Sequence, residues 1–234
     1  MRMEIIKERD VRIRMDISIF DVVGPIMIGP SSSHTAGAAK LSRVARLIVK
    51  EPFTHISFGL HGSFAKTYKG HGTDKALVAG ALGLSEDSEA LADSFKLAKN
   101  QGVGFDFYEI ELEGVHENTV KMTLTMLDGS QNVVVGSSIG GGQIEIIEIN
   151  GFATNMSLQL PTIVINQYDK KGVISEVSGI LAEHSLNIAT MKLSRTGKGD
   201  RACCIIEIDG EIPEEIEQEI MRNKNIISVK VINI

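Results

Sequence analysis

The chain has 234 residues, enough for two modest domains or one large one. Its 43% hydrophobic and 23% charged residues are the balance of a soluble globular protein, and a formal net charge of -6 argues against a nucleic-acid partner. No apolar run approaches the roughly 20 residues of a membrane helix. No basic segment followed by a long apolar one marks a secretory signal. The sequence therefore predicts a cytoplasmic protein that makes no use of a membrane.

Residues 1–16 read as an N-terminal extension, with Met1 and Met15 both open as the natural start. Ser31 to Lys50 reads as a helix, because Leu41, Val44, Ala45 and Ile48 fall on one face and Pro52 follows. Thr54 to Leu60 alternates as a half-buried strand. Helices are expected over Asp74–Leu84, capped by Thr73 or Asp74, and over Glu86–Asn100. Phe105 to Leu112 reads as a strand with a bulge at Phe107–Tyr108, where its apolar phase switches. Val120 to Met126 alternates, and Asp128-Gly129 predicts a hairpin returning over Asn132–Val135. Gly136 to Gly142 reads as a glycine-rich loop, and Gln143 to Ile149 as a further strand.

A domain over 17–150 follows, α+β with a mixed, largely antiparallel sheet. Residues 151–161 are polar, end in Pro161 and read as a linker. Over 162–234 the order is strand Thr162–Gln167, helix Gly172–Ser185, strands Asn187–Leu193 and Ala202–Ile208, helix Pro213–Arg222 and strand Ile226–Ile232. That βαββαβ order is the ferredoxin-like plan.

Several segments carry chemistry. Ser31, Ser32, Ser33, His34 and Thr35 follow Gly29-Pro30 at a helix start, where free N–H groups suit a carboxylate or a phosphate. One serine would be enough for plain capping. Ser63, in Leu60-His61-Gly62-Ser63-Phe64, lies at a strand end and reads equally as a turn and as a site. His71 stands between Gly70 and Gly72, ahead of Thr73 and Asp74. Backbone can come close to a ligand there, and histidine titrates where proton transfer needs it. His116-Glu117-Asn118-Thr119 reads more as a turn than as a site.

In the second domain Asn166, Asp169 and Gly172 bracket the first strand-to-helix turn, which reads equally as a capped turn and as an amino-acid effector site. Cys203 and Cys204 are adjacent and, on a strand, face opposite ways. An iron–sulphur cluster needs three or four thiolates, so this chain does not build one. His, Cys, Asp and Glu nowhere show zinc spacing. There is no Walker or dinucleotide motif, and no lysine is singled out for pyridoxal phosphate.

Taken together, Gly-Pro-Ser-Ser-Ser-His-Thr (29–35), Leu-His-Gly-Ser-Phe (60–64), Gly-His-Gly-Thr-Asp-Lys-Ala (70–76), His-Glu-Asn-Thr (116–119) and Ser-Ile-Gly-Gly-Gly (138–142) resemble the beta domain of iron–sulphur-dependent L-serine dehydratases. Residues 162–234 look like an ACT domain. The resemblance implies an enzyme of amino-acid degradation that converts L-serine to pyruvate and ammonia. It implies a partner alpha subunit carrying the cysteines of a [4Fe-4S] cluster, and a homodimer through the ACT domain. It makes His71 the candidate base beside Thr73 and Asp74, with Ser31–Thr35, Ser63 and Asn118 around the substrate. Glu117 stands where the family usually has proline. The same two-domain pairing also resembles the effector-sensing region of some D-3-phosphoglycerate dehydrogenases. A non-catalytic regulatory module is therefore the second expectation.

Overall fold

The computed structural model describes residues 31–233. The extension read over 1–16 and the Gly29-Pro30 lead into the serine run lie outside the described residues. The serine run is not α-helical at its start. Ser32–Gly37 form a π-helical turn, and the α-helix proper, α1, spans Ala38–Val49. Apolar spacing alone does not separate these two windings. Leu41, Val44, Ala45 and Ile48 are buried on the inner face of α1 as expected. Each large one contributes about 1.5–3 kcal/mol by leaving water. Lys50 closes α1 in the left-handed region, before Pro52 is reached.

Strand β1 (Phe53–Leu60) buries Ile56, Phe58 and Leu60. It leads into α2 (Gly62–Thr67), a helix absent from the sequence reading because six residues show no full apolar period. Helix α3 spans Thr73–Ala81. Its cap is neither Thr73 nor Asp74 but Gly72, at φ 69°. The long helix expected over 86–100 is a 3₁₀ turn, Glu89–Asp93, followed by α4, Ser94–Asn100. The Ser88 hydroxyl caps the turn by accepting from the Ala90 N–H.

Strand β2 (Gly104–Glu109) runs parallel to β1 in unbroken register, so the expected bulge at 107–108 is absent. Phe105 and Phe107 pack inward, and Tyr108 simply lies across Gly59 on the other face. Strands β3 (Thr119–Met126), β4 (Gln131–Gly140), β5 (Gln143–Ile149) and β6 (Phe152–Met156) complete a sheet of order β2-β1-β3-β4-β5-β6, antiparallel apart from the β1–β2 pair. Two expectations change here. The segment read as a loop over 136–142 continues β4 to Gly140. The segment read as a linker over 151–161 supplies β6, whose Phe152, Thr154 and Met156 are buried in alternation.

The second domain follows the expected plan. Strand β7 is Thr162–Tyr168, α5 Val173–Glu183, β8 Asn187–Arg195, β9 Arg201–Asp209, α6 Glu215–Met221 and β10 Ile226–Ile232. The antiparallel sheet has order β10-β7-β9-β8. Ile163, Ile165, Cys204 and Ile206 face its own helices. Val164, Cys203, Ile205 and Ile232 face the other way and join the core of the first domain. Crossing bonds tighten this joint. The Ser194 hydroxyl donates to the Ala153 carbonyl (2.5 Å), the Lys192 ammonium reaches Asn155, and Lys50 pairs with Glu217 (2.9 Å).

Candidate active site

Four segments meet around the π-helical turn. Ser31 caps it, its hydroxyl accepting from the His34 N–H at 3.3 Å and lying 3.3 Å from His34 Nδ1. His34 Nε2 is 3.1 Å from the Ser63 hydroxyl at the start of α2. The imidazole is thus held at both nitrogens. Its ring meets Phe64 edge-on at 5.2 Å and His71 edge-on at 4.9 Å between centroids. Burial, and then the neighbouring His71, push the His34 pKa below its ordinary value, so His34 is neutral near pH 7.

The His71 loop is pinned on both sides. The Thr35 hydroxyl donates to the His71 carbonyl (3.3 Å), the His71 N–H donates to the Thr67 carbonyl (3.1 Å), and the Thr73 N–H donates to the Tyr68 carbonyl (2.9 Å). The turn at 116–119 approaches from the sheet side. The Glu117 carbonyl accepts from the Ser63 N–H (2.9 Å). It packs so closely on Gly62, at φ 56°, that a Cβ there would sit 2.7 Å from it. A glycine is required at that position on both counts.

Ser31, His34, Thr35, Ser63, His71 and Thr73 therefore converge, although residues 31 and 73 are far apart in the chain. Ser32 and Ser33 share the turn and are half-buried. Asp74 is turned to local use, one oxygen accepting from the Lys75 N–H at 2.8 Å. Several buried polar atoms here have no hydrogen-bond partner among the described residues: His71 Nδ1, Thr73 Oγ1, Asn118 Oδ1 and Ser138 Oγ. Buried polar groups are normally satisfied, so four such atoms about one turn mark a place built for a polar ligand.

A family model described as serine dehydratase beta chain matches residues 18–148, and an ACT domain model matches 162–225. The L-serine dehydratase beta chain of Peptoniphilus asaccharolyticus is 40% identical over 94% of this chain and 99% of its own length. The probable L-serine dehydratase beta chain of Bacillus subtilis is 42% identical over 91% and 96%. The chain belongs to the serine dehydratase beta chain family. A D-3-phosphoglycerate dehydrogenase of Bacillus subtilis is 29% identical over 84% of this chain but only 37% of its own length.

In the second domain, Asn166, Asp169 and Gly172 have separate local surroundings. Asp169 Oδ2 accepts from the Gly199 N–H (2.9 Å) and from Arg195 (3.2 Å), fastening the turn between β8 and β9. Those two contacts hold its carboxyl below the usual range. Asn166 donates to the Ser228 hydroxyl (2.9 Å) on the sheet face turned to the first domain. Gly172 stands at φ 90° just before α5.

His116 works inside its own turn, as the sequence favoured. Its Nδ1 accepts from the Asn118 N–H and its carbonyl from the Thr119 hydroxyl. The Ser137–Gly142 segment, read from the sequence as a glycine-rich loop that could cradle an anion with backbone N–H groups, instead continues β4 to Gly140 and brings Ser137 and Ser138 against the turn at 116–119. Ser137 pairs with the Thr119 hydroxyl at 2.7 Å, and the Ser138 N–H donates to the Asn118 carbonyl at 2.9 Å.

Proposed function

We propose that the chain is the beta subunit of an L-serine ammonia-lyase that converts L-serine to pyruvate and ammonia, completing the active site of a cysteine-bearing alpha subunit. The observation that carries this reading is the edge-on contact of His34 and His71 inside a cage of hydroxyls and unpartnered polar atoms. In the proposed mechanism the serine carboxylate lies against the Ser31–Thr35 turn, whose N–H groups and hydroxyls offer hydrogen bonds. His71 takes the α-proton, and His34, neutral and fixed by Ser31 and Ser63, walls the site without repelling the imidazolium formed on His71. Thr73 and Asn118 supply polar walls. The β-hydroxyl leaves as water, taking up the proton held on His71, and the resulting enamine tautomerises to an imine. Hydrolysis of the imine gives pyruvate and ammonia.

The residues of this chain do not fit an iron–sulphur cluster. Cys203 and Cys204 are buried on opposite faces of β9, and burial pushes their thiols up to about 11 and about 12. Among the described residues no group of three or more His, Cys, Asp or Glu is placed to hold a metal ion. We therefore assign the [4Fe-4S] cluster to the alpha subunit. No helix among the described residues is long and apolar enough to cross a membrane, in keeping with a cytoplasmic enzyme. The edge of β8, unpaired among the described residues and with Leu193 exposed, favours a homodimer through the ACT domain, where an amino-acid effector would also act.

The test is turnover of L-serine by the chain co-purified with its alpha partner. His71→Ala is expected to lower kcat by about 100-fold or more while leaving assembly intact. Near-normal turnover by that variant would transfer the site to a sensing role, the second expectation.

A further inference from the structure

Among the unpartnered buried atoms, Ser138 Oγ belongs to a residue that the mechanism above leaves unused. Ser138 is fully buried on β4. Its backbone N–H holds the Asn118 carbonyl, and its hydroxyl lies against Gly37, in the same turn as His34. A methyl group on Gly37 would collide with that hydroxyl. Size alone does not account for a serine here, because alanine is smaller and carries no polar group to strand. Burying a hydroxyl without a partner costs free energy. The neighbouring Ser137 avoids this by bonding Thr119. The segments enclosing Ser138 Oγ are linked in a ring. Ser138 holds Asn118, Glu117 holds Ser63, Ser63 holds His34, and the turn bearing His34 packs back on Ser138.

We propose that Ser138 is a substrate-positioning residue, its hydroxyl bonding a polar group on the α-carbon of the bound amino acid beside the Asn118 carboxamide. The inference rests on the reading of this site as the L-serine site. Ser138 fixes the substrate and takes no proton, so it governs affinity more than rate.

Ser42 provides the control. It is equally buried and its hydroxyl is equally unpartnered, but it lies further along α1 and is not part of the ring. With the assembled pair, Ser138→Ala is expected to raise KM and the calorimetric Kd for L-serine about tenfold, with kcat within about twofold and a thermal midpoint of the ligand-free pair that does not fall. Ser138→Cys, which keeps a weak donor, should fall between. Ser42→Ala should leave KM and Kd unchanged. Unaltered Kd and KM in Ser138→Ala overturn the assignment, as does an equal rise in Ser42→Ala. If the wild-type pair binds L-serine without turning it over, the lyase reading fails while the Kd comparison still decides Ser138. If it does not bind L-serine, both fall.

Discussion

The six-stranded sheet buries one face under its helices and keeps His55, Ser57, Asp106 and Lys121 on the other, in contact with water. The four-stranded sheet is covered on both faces along its central strands β7 and β9. Along β9 the side chains alternate between two cores, Cys203 and Ile205 toward the first domain, Cys204 and Ile206 toward α5 and α6. The contrast is written in the strands. Val120–Met126 alternates apolar and polar, whereas Ala202–Ile206 is apolar without a break, the mark of a strand covered on both sides. The ACT domain is thus fixed to the domain bearing the candidate site through packed side chains, not held on a loose tether.

A charge placed on the inter-domain face tests this most severely. Ile205→Asp is expected to cost about 4 kcal/mol or more, because a carboxylate is then buried without a partner. Thr123→Asp, on the open face of the larger sheet, should stay within about 0.5 kcal/mol. Chemical denaturation reads both, and similar values would erase the distinction between the sheets. Truncation gives a smaller version. Ile205→Ala and Ile206→Ala should each cost about 2–5 kcal/mol. A negligible loss for Ile205→Ala alone would show that its face of β9 is not packed. Gly37→Ala comes next, at about 1–3 kcal/mol, since the new methyl meets the Ser138 side chain and the turn must shift.

Legibility in the sequence followed periodicity and length. β10 was read to the residue from its β-branched run, and β3 within one residue at its start, because Val120, Met122, Leu124 and Met126 alternate without a break. The βαββαβ order emerged for the same reason. β6 was lost in a presumed linker because Asn155 and Ser157 lend the segment a polar look, though Phe152, Thr154 and Met156 keep the period of two. The end of β4 was lost because glycine and serine are poor strand formers. Gly136 is there because Leu41 and Ile146 leave no room for a side chain. The site residues were recognisable as motifs, but their convergence is a product of the fold. Nothing in the sequence puts Ser63 against His34, or engages Asp169 with Gly199 and Arg195.

The domain bearing the candidate site also carries an acid response at His34, expected to be modest. His34, faced by Ser31, Ser63, Phe64 and His71, has a lowered pKa in the folded state. Above about pH 6.5 the imidazole is neutral whether folded or not, and stability does not change on this account. As pH falls below that value the unfolded chain binds a proton that the native one refuses, so stability declines until the native pKa is reached, and then levels. Denaturation midpoints from pH 7.5 down to 5 should show the decline in the wild type and a shallower one in His34→Gln. Equal slopes would mean that His34 is open to solvent.

The smallest effect is expected at Lys50–Glu217, the shorter of the two ion pairs that cross the joint among the described residues. Lys50, at the left-handed end of α1, meets Glu217 of α6 at 2.9 Å, and Glu217 also accepts from the Val231 N–H at 3.3 Å. Both side chains remain about one-third exposed. Water therefore screens the pair, and holding two long side chains together costs entropy, so Lys50→Ala should lose less than about 1 kcal/mol. A double-mutant cycle with Glu217→Gln isolates the pairwise part, since the Val231 contact then survives in a weaker form. If that coupling exceeded the loss measured for Ile205→Ala, charge rather than apolar packing would join the two domains. The two-faced burial of β9 would then be a consequence of docking and not its cause.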